Sequence, residues 1–454
     1  MTKDVRRAVV VGLGISNLPL IRYLIEQGVQ VTATDRSSSE QLGDRMAELQ
    51  RLGIKLVLGA DYLAPLADHD EIYLTPGMRK DLPEIEAARA RGAQIRGEAG
   101  VVLERCRAKT IGITGSAGKT TTTTLVGQIL HAAGQHVHVG GNIGTPLIER
   151  VETMTPDETV VIELSSFQLQ LTPPHSPQIA VWTNLSPNHL DIHSSMDEYV
   201  EAKKNIFRYQ LSTGWLVANW DDPVVRAAAA EASARVCPFS LTGDPGAPTC
   251  AFQREDELVW RHHGVELPTV RTDEIKLVGE HNRENALAAL ATAYLAGAGM
   301  HAVRLILTSF RGVEHRIEPL GELHGATWYN DSKATSPAET LACLKALPAP
   351  IVLIAGGSDK GIPFDPIQPL VAAKVKAIVL TGPTAERIEQ SVRAGGYDGP
   401  IFRARGMEEA VHAAAGFAAP GDAVVLSPAC ASFDAYKNFE ERGKHFKALF
   451  RSLL

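Results

Sequence analysis

Short apolar runs rich in valine and isoleucine recur along the chain, separated by stretches in which apolar residues return every three or four positions. Runs that are apolar throughout suit strands buried on both faces, and the longer period suits the helices that cover them. The alternation therefore predicts an α/β protein whose sheets are mostly parallel. Residues 8–12, 30–35 and 71–75 read as strands of a first unit ending near Gly97. A second unit begins before "TIGITGSAGKTTTT" and includes "TVVIELSSF", "QIAVWTNLS" and "GWLVANWDD". A third follows a helical stretch at 282–295 and contains "ATWYNDS", "PIVLIAGG", "KAIVLTG" and "DAVVLSPA". No repeat of solenoid period interrupts this pattern.

Length agrees with that division, since 454 residues at roughly 150 per domain give about three domains. Hydrophobic residues make up 44% and charged residues 21% of the chain, which favours neither disorder nor a fibrous repeat. A net charge of −7 argues against broad nucleic-acid binding, which needs clustered lysine and arginine. The five cysteines are odd in number, widely spaced and without a C-x-x-C pair, as expected in a reducing compartment. The start of the chain has a basic stretch before an apolar one, but Gly12, Gly14, Asn17 and Pro19 break the apolar part. A cytoplasmic protein with no cleaved signal is expected. No run reaches the roughly 18 apolar residues of a membrane span, so no membrane insertion is expected.

Candidate chemistry begins at "VVVGLGISN", where a strand feeds a G-x-G turn of the dinucleotide-binding type. Asn17 occupies the position of the third glycine, so the match to an NAD site is weak. "TGSAGKT" is more informative. A glycine-rich turn after a strand aims backbone N–H groups at phosphate oxygens, Lys119 adds a mobile positive charge, and the Thr120 hydroxyl suits Mg²⁺. The glycines are Gly112, Gly115 and Gly118, and Ile113 stands where the strict motif has glycine, which makes this a P-loop variant. Its helix must accommodate Thr121 to Thr124 against their modest helix propensity. Downstream, "VVIELSS" ends an apolar strand in Glu163, where a nucleotidase places a carboxylate for a hard cation.

His189 and His193 have an H-x₃-H spacing, but no cysteine or third histidine nearby completes a zinc set. In the helix that follows, Met196, Tyr199, Val200, Lys203, Ile206 and Phe207 fall on one stripe, which puts Lys203 on the apolar face and Lys204 elsewhere. Burial lowers a lysine pKa and yields the neutral amine that captures CO₂. On the residues alone, a lysine snorkelling at a helix edge is the simpler reading.

Taken together, "TGSAGKTTT", "GGNIG", "ELSSFQL", "NHLD", "YVEAKK", "GEHNRENALAA", "GVEHRIE", "NDSKATSP", "AGGSDKG" and "SPACASFDAYKNFEERG" resemble the Mur ligases, most closely the D-glutamate-adding branch. The resemblance spans nearly the whole chain. Diaminopimelate- or lysine-adding ligases carry a D-N-P-R stretch absent here, and alanine-adding ligases open on a different glycine signature. Folylpolyglutamate synthases lack a comparable domain before the phosphate loop.

The resemblance implies three domains: a Rossmann-like substrate-binding domain at 1–97, a central P-loop-type ATPase domain at 98–312 and a Rossmann-like glutamate-binding domain at 313–454. It implies a monomer that uses ATP and Mg²⁺, expected as two ions, to join D-glutamate to UDP-N-acetylmuramoyl-L-alanine. Gly115, Ser116, Ala117, Gly118, Lys119, Thr120 and Thr121 would bind ATP phosphates, with Asn282 and Asn285 around the nucleotide, Arg316 on a phosphate and Asp331 on the ribose. Thr120, Glu163, His189 and Lys203 would serve the metal, Lys203 as a carbamate. Asn142 would lie near the muramoyl substrate. Lys333, Thr335, Lys360, Ser432 and Phe439 would surround the transferred phosphate and the incoming glutamate. Gly14, Ile15, Ser16, Asp35 and Arg36 become uridine and pyrophosphate contacts. One departure is Ala117, where many relatives have asparagine; altered ATP affinity rather than lost activity is expected. A nicotinamide dehydrogenase would explain only the opening turn. A nucleotide-binding regulator without turnover would leave Glu163, His189 and Lys203 together unexplained.

Overall fold

The computed structural model describes residues 6–454 except 15–16, 144–145, 187–192, 194, 278 and 360. It divides into two compact units, Met1–Phe310 and Arg311–Leu454. The first contains two sheets and the second contains one.

The first sheet is parallel and consists of β1 (Arg7–Val11), β2 (Gln30–Asp35), β3 (Lys55–Leu58), β4 (Glu71–Leu74) and β5 (Gln94–Arg96) in the order β3-β2-β1-β4-β5. Val9, Val10 and Val11 are fully buried, as expected of a central strand covered on both faces. The order reverses between β1 and β4, which opens a crevice at their carboxyl ends where ligands of such folds bind.

The second sheet contains β6 (Lys109–Thr114), β7 (Val137–Gly141), β8 (Thr159–Glu163), β9 (Ile179–Trp182), β10 (Trp215–Asn219), β11 (Arg235–Ser240), β12 (Cys250–Arg254), β13 (Glu257–His262) and β14 (Val265–Arg271). Their order is β14-β13-β12-β11-β10-β9-β6-β8-β7. All neighbours pair in parallel except the last two strands, which add an antiparallel meander to β12. β6 lies between β9 and β8, so the loop that leaves it emerges at a point where the strand order reverses.

The third sheet, in the second unit, contains β15 (Glu318–Leu323), β16 (Ala326–Asn330), β17 (Ile351–Gly356), β18 (Val375–Thr381), β19 (Ile401–Arg403) and β20 (Ala423–Leu426) in the order β15-β16-β20-β17-β18-β19. Only β15 is antiparallel to its neighbour. Its core has two sides: Leu353, Ile378 and Val425 pack on one face, and Trp328, Val352 and Phe446 on the other.

Candidate functional site

The phosphate loop follows β6 and leads into the helix Lys119–Ala132. Gly118 caps that helix at φ +80°, and a side chain there would meet Asn285 Oδ1 at 2.1 Å from its Cβ. Gly115 is equally constrained, because its Cβ would lie 1.9 Å from Thr183 Oγ1. The segment that leaves β9 holds the loop in place. Ser116 N donates to Asn184 O at 3.0 Å. Ala117 N donates to Asn184 Oδ1 at 2.8 Å, and Ala117 O accepts from Thr183 Oγ1 at 2.7 Å. Ala117 itself is exposed, so the loop's shape rests on backbone bonds rather than on the missing asparagine. Lys119 Nζ lies on the carbonyls of Gly115 and Ser116, at 2.9 and 3.1 Å. Thr120 and Thr121 begin the helix, where unpaired N–H groups and the macrodipole favour an anion. The threonine run survives as helix because Thr122 and Thr123 are fully buried, and Thr122 Oγ1 donates to Asn285 Oδ1 at 3.3 Å.

Parallel register places Ile113, two residues before the loop, opposite Glu163 at the tip of β8. Glu163 is buried; Asn142 Nδ2 donates to its Oε1 at 2.9 Å, and its Oε2 has no hydrogen-bond partner among the described residues. An unpartnered buried carboxylate oxygen suits a hard cation. Asn142 itself directly follows β7, the next strand along.

Lys203 lies on the helix Met196–Lys204 and is only 1% exposed. Its Nζ donates to Gly115 O at 2.8 Å and to Thr114 Oγ1 at 3.3 Å, and sits 4.8 Å from the centre of the Tyr199 ring. Burial pushes this amine well below the ordinary lysine range, and the Lys119 charge adds to the shift. Lys204 points away and pairs with Glu201 and Glu231 at 2.8 and 2.7 Å. The snorkelling reading of Lys203 is thus corrected: the side chain turns inward and ends on the phosphate loop.

His193 is buried, stacks on Phe167 at 5.1 Å and shares a hydrogen bond with Ser166 Oγ at 2.9 Å. Burial lowers its pKa, opposed by Glu198. His189 lies outside the described residues, as do Ile15, Ser16 and Lys360.

Asn282 and Asn285 occupy one side of the helix Glu280–Leu295, with Asn285 Nδ2 donating to Asn282 Oδ1 at 3.2 Å. In the second unit, Asp331 directly follows β16 and accepts from Ser427 Oγ at 2.7 Å and Ile317 N at 3.1 Å. Burial pushes its carboxyl up to about 7 despite those bonds. Arg316 is close enough to lower it slightly. Lys333 N donates to His315 O at 3.0 Å, and Thr335 N to Glu339 Oε2 at 2.8 Å. Ser432 is buried in the segment after β20, and Phe439 opens the helix Phe439–Ser452. These residues gather at the carboxyl ends of β16 and β20.

Two supports escaped the sequence reading. Arg442, 2% exposed, joins the segment after β16 to the segment after β20 through Ser332, Cys430 and Ala431. Asn17 spans the opening turn, its Nδ2 donating to Val11 O and Gly12 O at 3.1 and 2.7 Å. That position therefore needs an amide, which explains the absent third glycine. Gly14 lies in the same turn. Asp35 accepts from Leu13 N at 2.7 Å and Ser37 N at 2.8 Å; burial raises its pKa, but these bonds outweigh burial and hold it below the usual range. Arg36 is exposed beside it.

Three family models account for the chain in order. The Mur ligase MurD-like N-terminal domain matches residues 6–97, the Mur ligase middle domain 113–293, and the Mur ligase glutamate ligase domain 315–430. The chain belongs to the Mur ligase family. Among its relatives, a UDP-N-acetylmuramoylalanine–D-glutamate ligase of Symbiobacterium thermophilum is 66% identical over 447 residues, 98% of each chain. A ligase of the same name from Acetivibrio thermocellus is 45% identical over 456 residues, 99% of this chain and 97% of the relative. Solved structures share the fold at low identity. UDP-N-acetylmuramate-alanine ligase of Thermotoga maritima has a TM-score of 0.56 at 20% identity, covering 99% of this chain and all of that one. A pseudomurein peptide ligase type C of Methanothermus fervidus has a TM-score of 0.54 at 21% identity, with the same coverage.

Proposed function

We propose that this chain uses ATP to join D-glutamate to UDP-N-acetylmuramoyl-L-alanine in peptidoglycan precursor synthesis, releasing ADP and phosphate. The observation that carries this reading is the 66% identity to a ligase of that name, sustained over 98% of both chains. In the proposed reaction the alanyl carboxylate takes the terminal phosphoryl group of ATP, which breaks that group's bond to ADP. The amine of D-glutamate then attacks the acyl carbon, loses a proton and expels phosphate. Phosphorylation is needed because a carboxylate is a poor electrophile.

The chain's residues suit these steps. Lys119 and the helix start at Thr120 and Thr121 receive the phosphates, and Gly115 and Gly118 let the backbone approach closely. Asn142 orients the Glu163 carboxylate. Mg²⁺, when bound, would neutralise phosphate charge, with Thr120, Glu163, His189 and Lys203 as its holders. An ammonium at Lys203 would repel a cation, whereas its neutral amine, favoured by burial, can combine with CO₂ to give a carbamate and a proton. That change makes the residue a carboxylate-like ligand.

In the second unit, Asp331 is assigned to the ribose and Arg316 to a phosphate. Lys333, Thr335, Lys360, Ser432 and Phe439 are assigned to the phosphate and glutamate, because ammonium and hydroxyl donors match a dicarboxylate. Gly14, Ile15, Ser16, Asp35 and Arg36 are assigned to the uridine diphosphate group, within a functional division at 1–97, 98–312 and 313–454. A cytoplasmic monomer belongs to the same proposal; no described helix is long and apolar enough to cross a membrane.

The test is incubation with UDP-N-acetylmuramoyl-L-alanine, ATP and either enantiomer of glutamate. ADP and phosphate should appear in equal amounts only with the muramoyl substrate and D-glutamate together. Nucleotide binding without turnover would overturn the reading, as would reduction of NAD.

A further inference from the structure

At the opposite ends of β7 and β8 from Asn142 and Glu163 lies a group of side chains that the ligase reaction does not use. His136 precedes β7, His138 lies within it, and Glu158 precedes β8. The parallel register pairs Val137 with Thr159 and His138 with Val160. Side chains alternate across a sheet, so positions 136, 138, 158 and 160 share one face. Val137 and Val139 turn to the other face, where they line a cavity of about 460 Å³ with Gly127 and Ile306.

On the shared face, His136 Nδ1 is 2.5 Å from Glu158 Oε1 and His138 Nε2 is 3.2 Å from Glu158 Oε2. One ligand atom from each of the three residues lies within 4.8 Å of the others. Tetrahedral zinc with bonds near 2.0 Å needs ligand atoms roughly 3.3 Å apart, so a small rotation of one imidazole closes the set. His136 can supply it, because its side chain is 70% exposed while those of His138 and Glu158 are each 12% exposed. Thr155 N donates to Glu158 Oε2 at 3.0 Å and fixes the carboxylate from behind, as outer groups do around metal ligands.

We propose that His136, His138 and Glu158 bind a divalent transition ion of the Zn²⁺ class that clamps β7 to β8. Two imidazoles and a carboxylate are an established donor set for such ions, and solvent on the His136 side leaves the remaining positions to water. Strands of this length at about 3.3 Å per residue separate the clamp from Glu163 by roughly 16 Å. It is therefore distinct from any ion at the phosphate loop. It ties together, at their start, the two strands whose far ends join through Asn142 and Glu163.

The experiment titrates the full-length chain with Zn²⁺ by calorimetry in excess Mg²⁺, and with Co²⁺ by visible absorption. Wild type should take up one equivalent saturably and gain melting temperature. His136→Ala, at the exposed member, should lose both effects while melting with wild type in the presence of a chelator; Glu158→Gln should also lose the Co²⁺ band. If wild type takes up no Zn²⁺, or His136→Ala takes up as much as wild type, the three residues are an ion-paired surface cluster and the proposal fails.

Discussion

Arg442 allows the strongest test of how the second unit holds its candidate residues. Its Nε donates to Ser332 Oγ at 3.0 Å, its Nη2 to Ser332 O at 2.8 Å, and its Nη1 to Cys430 O and Ala431 O at 3.1 Å each. Burial lowers the guanidinium pKa to about 10, so it remains charged at neutral pH. Arg442→Met keeps much of the volume but strands the buried carbonyls of Ser332 and Cys430, while Ala431 O keeps its bond from Ser358 N. At the lower end of ~1–3 kcal/mol for each unsatisfied acceptor, the unit loses about 2 kcal/mol. That corresponds to about thirtyfold in an opening equilibrium. Hydrogen–deuterium exchange of the full-length chain should therefore show the slowest amides of β17 and β20 accelerating by that factor, while those of β6 stay unchanged. The same substitution should raise the KM for glutamate more than it lowers nucleotide affinity, because the loosened segments carry Lys333, Thr335 and Ser432. Acceleration below about fivefold, equivalent to roughly 1 kcal/mol, would refute the clamp.

Lys203→Ala should nearly abolish ligation; bicarbonate should not restore it, whereas a short-chain carboxylate should restore part. Full activity in that variant would remove the carbamate from the mechanism. Gly118→Ala forces a left-handed backbone on a residue with a Cβ, costing about 1–2 kcal/mol, and drives that atom into Asn285. ATP affinity measured by calorimetry should fall at least tenfold, and unchanged affinity would contradict the loop geometry. Glu98 is buried, and burial raises its carboxyl to about 7, partly opposed by the Ile148 N–H. The folded state then holds a proton that the unfolded chain releases above its ordinary value of 4.5. Stability is lost as pH rises from about 4.5 to about 7 on this account. Glu98→Gln should accordingly raise the melting temperature more at pH 8 than at pH 5, and an equal effect at both would show that Glu98 does not titrate in that window.

Legibility in the sequence followed how local each signal was. β1 and β8 announce themselves because burial on both faces leaves runs of valine and isoleucine, and β2, β4 and β6 as short buried stretches of β-branched, aromatic and small residues. The phosphate loop and the stripe bearing Lys203 are equally local, the first a fixed spacing and the second a helical period. β3 and β5 went unread because each is short and only half buried. The β12–β14 meander was hidden by charged and histidine residues on its exposed face, although His263 and Gly264, at φ +49° and +80°, form the kind of turn that marks a hairpin. Arg442, Asn184 and Thr183 are unremarkable in sequence. Their roles arise from partners distant along the chain, which no spacing encodes. Asn17 was visible only as a departure from a pattern, and its meaning required seeing which carbonyls it bridges.

The bonds that Asn184, Thr183 and Lys119 make with the phosphate loop also bear on how tightly a nucleotide can be held. A cradle that must be frozen by its cargo spends part of the contact energy on lost conformational entropy. Here the protein already immobilises the cradle through its own carbonyls and amides, so an arriving triphosphate exchanges one set of polar partners for another. Replacing Asn184 should consequently weaken nucleotide capture even though it need never touch the nucleotide.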